Sequence, residues 1–295
     1  MSLIEKAIEK MRANEAGLAA GGRVQPRPLS ASALVDVTPE QPLHAVPAAP
    51  AIPAKKLLIN RAALRESEYF PENGCETRFA NYYRQIKRPV LQRAFGSVDN
   101  PELRLVLLTS ALPGDGKSFT SINLAFSMAR ERDSSVLLVD ADVAKPNLSR
   151  IFGVSHEPGL LDAVVNDSLD PQSLVMHTDV PGLEVLPGGT PVEQASELLT
   201  SARMKQVVLR LATASPRRIV LFDAPPLLLS SEARSLLTVP GQVLLVVRAG
   251  KTPTRAVRDA VDLIDEQKLT GLILNEGHGG LNDSYYGYES YGSED

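Results

Sequence analysis

Cysteine is almost absent from this chain. With Cys75 alone, it can build neither a disulfide framework nor a Cys-rich zinc or iron–sulfur site by itself, and a reducing cytoplasm is the expected setting. The four histidines, His44, His156, His177 and His278, are scattered without ligand spacing, so no histidine-built metal centre is expected. No apolar run approaches the ~18–20 residues that cross a bilayer. The strongest candidates, Val220–Leu229 and Val243–Val247, are short; the first is interrupted by Asp223 and two prolines, and the second stops at Arg248. The opening Met1-Ser-Leu-Ile-Glu-Lys has no apolar secretion core. The expectation is a chain with no transmembrane segment of its own, peripheral at the inner membrane only through a partner. Charge of one sign is also lacking: 31 basic against 35 acidic residues leave a net charge of −4. That balance exerts no general pull on nucleic acid, and no nucleic-acid partner is expected.

What is present falls into four stretches. Residues 1–13 carry Leu3, Ile4, Ala7, Ile8 and Met11 on one helical face. So short a helix needs a surface to dock on, either its own domain or a partner protein. Residues 14–55 hold seven prolines, Pro26, Pro28, Pro39, Pro42, Pro47, Pro50 and Pro53, which block helix and sheet and predict a disordered linker. A domain is expected over 56–281. It begins with a basic, aromatic segment at 76–95, read as an interface or packing helix that runs until Pro89. Residues 282–295 form a flexible tyrosine-rich tail.

From Leu103 onward, short apolar runs alternate with helical patterns. Strands are predicted at Arg104–Thr109, Ser135–Asp140, Leu183–Leu186, Arg218–Asp223, Gln242–Arg248 and Leu272–Asn275. Helices are predicted near Ser118–Arg132, Gly159–Val165, Ser196–Ala214, Glu232–Leu237 and Thr254–Gln267. Strands apolar on both faces and separated by helices imply an α/β fold, a mostly parallel twisted sheet with helices on both faces.

The first of these strands runs into Ala111-Leu-Pro-Gly-Asp-Gly-Lys-Ser118 and then a helix. This strand–loop–helix context is that of a phosphate-binding loop, and so of a P-loop NTPase. Gly114 and Gly116 let successive N–H groups turn toward phosphate oxygens, and the helix start adds its positive dipole end. Pro113, Gly114, Asp115, Gly116, Lys117, Ser118 and Phe119 are the expected nucleotide contacts. Lys117 supplies a charge to the β- and γ-phosphates, and Ser118 a hydroxyl to Mg²⁺. Ala111 stands where such loops usually carry their first glycine. Asn275, at the end of the last strand, is read as meeting the adenine or the loop beside it.

Two strands end in carboxylates: Val136-Leu-Leu-Val-Asp140-Ala-Asp142 and Arg218-Ile-Val-Leu-Phe-Asp223. Ligands in open parallel sheets bind beyond the carboxyl ends of the strands, so the three acids should converge near Ser118. Beside a triphosphate they require a cation, and Mg²⁺ suits oxygen ligands. The expected roles are Asp223 and Asp142, with Ser118, at the metal, and Asp140 orienting or accepting the proton of an attacking hydroxyl. In the tail, Tyr285, Tyr286, Tyr288 and Tyr291 stand among Gly, Ser and acidic residues with no aliphatic partner. They are read as phosphate acceptors, each phosphate adding about −1.5 to −2 charges.

Together the phosphate loop, Asp140-Ala-Asp142, Phe222-Asp223-Ala-Pro-Pro226 and the terminal tyrosines resemble the bacterial tyrosine kinases of polysaccharide synthesis and export. The N-terminal Met-Ser-Leu-Ile-Glu-Lys-Ala-Ile-Glu-Lys and Val143-Ala-Lys-Pro resemble the exosortase-associated subgroup. The resemblance implies an ATP- and Mg²⁺-dependent tyrosine autokinase that acts on a neighbouring copy within an oligomer. It also implies a membrane-embedded chain-length regulator as activator. The family's interface-helix spacing Glu-x-x-Arg-x-x-Arg is not kept: Asn81 stands at its first position. The arginine common after the second Asp is replaced by Ala144 and Lys145. Rival readings of the same loop are a positioning ATPase of the partitioning class, whose usual early lysine is Leu112 here, and a non-catalytic nucleotide-binding scaffold of the polysaccharide machinery.

Overall fold

The computed structural model describes residues 56–71, 76–96 and 100–277. The expectations for residues 1–13, 14–55 and 282–295 lie outside the described residues.

Eight strands form one sheet: β1 Lys56–Leu57, β2 Leu105–Ser110, β3 Ser135–Asp140, β4 Met176–Thr178, β5 Leu183–Leu186, β6 Arg218–Asp223, β7 Gln242–Arg248 and β8 Leu269–Asn275. Their order is β1-β4-β5-β3-β6-β2-β7-β8, and every pairing is parallel except β4 with β5. The helices are α1 Arg61–Glu66, α2 Glu76–Gly96, α3 Lys117–Met128, α4 Asn147–Ile151, α5 Leu160–Val165, α6 Ala195–Thr200, α7 Ala202–Thr213, α8 Ser231–Leu236 and α9 Thr254–Asp262.

The central strands are buried on both faces because alternate residues feed two cores. Leu105, Leu107, Leu137, Val139, Val220 and Phe222 join a cluster with α5, α6, α7 and α8. Val106, Leu108, Val136, Leu138, Ile219 and Leu221 join a second cluster with Ile122, Leu124 and Met128 of α3 and Val90 and Ala94 of α2. Each fully buried Leu or Val contributes about 1.5–3 kcal/mol by leaving water. This two-sided burial accounts for runs such as Val136–Val139 having no polar alternation.

Several elements differ from the sequence pattern. Helix α2 does not stop at Pro89 but continues to Gly96 with the proline inside it. Pro89 removes one donor from the helix ladder. Burial of Tyr83, Val90 and Ala94 on one face offsets that loss, as does Lys87, which donates to the Ser127 carbonyl at 2.8 Å and pairs with Glu131 at 2.6 Å. The long helix expected over 196–214 is two, α6 and α7. Ser201 has extended backbone (φ −66°, ψ 156°) and accepts from the Met204 N–H, so it caps the second helix and ends the first. Strands β1 and β4, of two and three residues, are too short to carry a period.

Away from the strand ends that hold the site, Arg218 and Glu184 form a buried pair at 2.7 Å, and Arg218 also donates to Gln172 Oε1 at 2.7 Å. Arg218→Met leaves buried Glu184 with only the half-exposed His177 ring, 3.1 Å from its Oε1, as a partner. It is expected to lower stability by about 3–5 kcal/mol, read as a fall in the urea midpoint; an unchanged midpoint contradicts the pairing.

Candidate nucleotide-binding site

The strand order brings the site together. β6 lies between β3 and β2, and Asp140 pairs in register with Asp223, which in turn pairs with Leu108. The carboxyl ends of three adjacent strands therefore present Asp140, Asp223 and the loop after β2 side by side, at the crevice where open α/β sheets take ligands.

Within that loop, Gly114 and Gly116 have φ of 83° and 95°, left-handed values that glycine adopts at least cost. A Cβ on Gly116 would also collide with the Asn275 carboxamide. Asp115 braces the loop from inside: it accepts from the Leu112 N–H at 3.0 Å and from the Thr252 hydroxyl at 2.7 Å. Asn275 donates to the Asp115 carbonyl at 3.1 Å, which pins the end of β8 against the loop. Pro113 and Gly114 are exposed at its tip. The Phe119 ring packs edge-on against Phe79 with centroids 6.1 Å apart, leaving its backbone N–H as the group that could meet a phosphate. Gly116→Ala combines a left-handed alanine with the Asn275 clash. It is expected to cost about 1–3 kcal/mol and to lose nucleotide binding, measured by urea unfolding and by titration with a fluorescent nucleotide. Wild-type values for both would contradict this loop conformation.

Lys117 and Ser118 reach the acids directly. Lys117 Nζ lies 3.1 Å from Asp142 Oδ2, and the Ser118 hydroxyl donates to Asp223 Oδ2 at 2.8 Å. Asp223 Oδ1 is buried with no partner. Asp140 is fully buried; its Oδ2 accepts from both the N–H and the hydroxyl of Ser149, each at 2.7 Å, and its Oδ1 from the Asp142 N–H at 3.3 Å. Burial and then the Asp223 charge raise the Asp140 pKa from 3.8 to about 7, against the opposing Ser149 bonds. Burial also raises Asp223, with Lys117 and Ser118 pulling it back. Burial works against the Lys117 charge, but Asp223 and Asp142 outweigh it and its pKa is raised.

Three residues at the site carried no signal in the sequence. Asn147, at the start of α4, donates to the Ser118 hydroxyl oxygen at 3.2 Å and to the Tyr69 hydroxyl at 3.3 Å. Ser149 ties α4 to Asp140, and Thr252 ties the loop after β7 to Asp115. Each depends on the chain folding back across the sheet end. The four tail tyrosines lie outside the described residues.

A cavity of about 720 Å³ opens on this cluster, lined by Gly114, Lys117, Asp142, Lys145, Arg150 and Leu229 among others. No group of three His, Cys, Asp or Glu residues with metal-holding geometry occurs among the described residues. A magnesium ion in such a site needs only one or two carboxylates, the rest being hydroxyl, phosphate and water. The orphaned Asp223 Oδ1 beside the Ser118 hydroxyl fits that donor set.

A family model described as an AAA domain matches residues 105–272. The tyrosine-protein kinase YwqD of Bacillus subtilis is 34% identical over 215 residues, covering 72% of this chain and 86% of the relative. The chain belongs to the bacterial tyrosine kinase family. Its P-loop NTPase fold, expected from the sequence, is the fold of that family: the solved kinase domain of VpsO aligns with a TM-score of 0.54 and 29% identity, over 67% of this chain and all of that one. The succinoglycan biosynthesis transport protein ExoP of Rhizobium meliloti is 30% identical over 203 residues. This kinase-family chain spans only 25% of that longer relative, and the match covers 67% of the chain.

Proposed function

We propose that the protein is an ATP- and Mg²⁺-dependent tyrosine autokinase that phosphorylates Tyr285, Tyr286, Tyr288 and Tyr291 of a neighbouring copy. The observation that carries this reading is the convergence of Lys117, Ser118, Asp142 and Asp223 at the ends of adjacent strands, beside a cavity roomy enough for a second reactant.

The loop N–H groups and Lys117 would hold the β- and γ-phosphates, while Asn275 and Thr252 brace the loop on the β7–β8 side, the side this reading gives to the nucleoside. Ser118 and Asp223, with Asp142, would hold Mg²⁺, which when bound neutralises charge on the phosphate oxygens. The phenol oxygen forms a bond to the γ-phosphorus as the bond to the bridging β-oxygen breaks. ADP leaves with that electron pair, and the phenolic proton is released. The loose transition state of this transfer asks little of a base. Asp142 lines the cavity, whereas Asp140 is fully buried and engaged by Ser149. We therefore assign orientation of the phenol to Asp142, and to Asp140 the holding of α4. This moves the proton-orienting role that the sequence pattern suggests for Asp140.

The same reading puts the protein in polysaccharide synthesis or export, as the name of ExoP does for that relative, under a membrane-embedded chain-length regulator. Among the described residues no helix is long and apolar enough to cross a membrane. The test is a phosphosite map by mass spectrometry after incubation with ATP and Mg²⁺, alone and with the regulator's cytoplasmic fragment. Label on the tail tyrosines, absent in Lys117→Met, is expected. ATP hydrolysis without tyrosine label would point instead to a positioning ATPase.

A further inference from the structure

Two side chains that the transfer step leaves unused reach the Ser118 hydroxyl from outside the phosphate loop. A serine hydroxyl has one proton to donate and two lone pairs. The proton of Ser118 goes to Asp223 Oδ2 at 2.8 Å. One lone pair accepts from Asn147 Nδ2 at 3.2 Å. The other lone pair has no partner among the described residues, and Asp223 Oδ1 beside it has no hydrogen bond. Asn147 Nδ2 also donates to the Tyr69 hydroxyl oxygen, at 3.3 Å, so both of its hydrogens are used. The amide is held this way round by Arg150, which donates to Asn147 Oδ1 at 2.6 Å; a turned amide would set donor against donor there. Tyr69 is fixed in turn. Its N–H donates to the Leu64 carbonyl of α1 at 2.8 Å, and its ring packs on the second core cluster. Its carbonyl accepts at 2.9 Å from Asn123 of α3, which also donates to the Phe119 carbonyl at 2.8 Å.

We infer that Asn147 and Tyr69 are positioning residues for the cation: they hold the Ser118 hydroxyl so that its free lone pair, with Asp223 Oδ1, is left for Mg²⁺. The inference rests on the reading of Ser118 and Asp223 as a cation site and names the residues that set its geometry. Asp223 alone holds the Ser118 oxygen through its proton, from one direction. Asn147 adds a second direction, so the oxygen is fixed and the remaining lone pair has one place to point. Tyr69 acts a step further out. Without its oxygen the amide has one anchor fewer and is freer to turn about its Cβ–Cγ bond, away from Ser118. Partners of this outer kind orient the atoms that touch a metal, and losing one typically costs about 10–100-fold in metal affinity. Neither residue lies in the phosphate loop or at a strand end. Tyr69 precedes α2 and Asn147 opens α4, so the relay joins two separate segments to the hydroxyl of Ser118.

The experiment titrates the full chain with Mg²⁺ in the presence of a fluorescent non-hydrolysable ATP analogue and reads the Mg²⁺ midpoint. Asn147→Ala is expected to raise that midpoint by about tenfold or more, while affinity for the analogue in EDTA is unchanged. Tyr69→Phe keeps the ring and removes only the hydroxyl, and should raise the midpoint by about threefold, the worth of one ordinary hydrogen bond. Added to Asn147→Ala, Tyr69→Phe should change nothing more, because Tyr69 acts on the cation only through the amide. If the two side chains merely tether α4 to α3, the urea midpoint falls and the Mg²⁺ midpoint stays where it is, which overturns the inference. A Tyr69→Phe effect that persists at full size in Asn147→Ala protein overturns the relay. Should Asn147→Ala fail to fold, Tyr69→Phe decides alone in the same titration: a raised Mg²⁺ midpoint supports the inference and a wild-type midpoint overturns it. Wild-type binding that ignores Mg²⁺ ends the cation-site reading, and the inference falls with it. A wild type that responds to Mg²⁺, with an Asn147→Ala variant that responds alike, ends the inference alone.

Discussion

Asp223→Asn should make the nucleotide-free protein more stable and nearly inactive. Asp223 is completely buried and sits in register with Asp140, with one oxygen bonded to Ser118 and the other bonded to nothing. Burial raises its pKa, as it does that of Asp140, where the Asp223 charge adds to the effect. An asparagine retains an acceptor for the Ser118 hydroxyl and removes the buried charge. The gain should be about 1–2 kcal/mol, which for a domain of this size is a melting temperature higher by about 2–6 °C. Phosphoryl transfer should fall by about 10²-fold or more, because the group expected to orient the cation is gone. A variant both less stable and fully active would refute the assignment of Asp223 to a cation site.

Lys117→Met should abolish transfer and destabilise the free protein, the opposite stability effect from the change in its neighbour. Lys117 is the cation facing three carboxylates, each of which raises its pKa. Without it, Asp223 and Asp142 lose the charge that offsets their own. The activity loss should reach about 10³-fold, the range for removing a group aimed at developing charge. The stability loss should depend on pH with a definite sign. Between 3.8 and about 7, the folded protein keeps a proton on Asp140 that the unfolded chain has released. The stability tied to that proton is present at low pH and is lost as pH rises through about 7. Removing Lys117 takes away the charge that pulls the raised Asp223 pKa back, so it rises further. The melting-temperature gap between variant and wild type should therefore be wider at pH 8 than at pH 6. A gap that narrows toward pH 8 would mean that the acids do not share one electrostatic site.

Much of this site was legible because its parts sit at strand ends. The runs ending at Asp140 and Asp223 are apolar on every position, which only a strand buried on both faces explains, and a phosphate loop needs its glycines at fixed places. The convergence then follows from the order β3-β6-β2, which a sequence pattern does not state. What was not legible depends on tertiary contact. Thr252 reaches Asp115 across 137 positions. Asn147 reaches Ser118 only because α4 folds back over the sheet end, and Ser149 meets Asp140 by the same turn. Pro89 signals a break by local rules, yet α2 passes through it because Val90 and Ala94 are buried just beyond. Ser201 hides a helix boundary inside an apolar periodicity that runs on both sides of it.

The most direct test is the affinity of the free protein for a fluorescent non-hydrolysable ATP analogue, titrated with and without Mg²⁺ in wild type and in Asp223→Asn. If a triphosphate occupies the loop and its cation is held by Ser118 and Asp223, Mg²⁺ should tighten wild-type binding by about tenfold or more, and tighten the variant far less. Wild-type binding that ignores Mg²⁺, or no binding at all, would contradict the account.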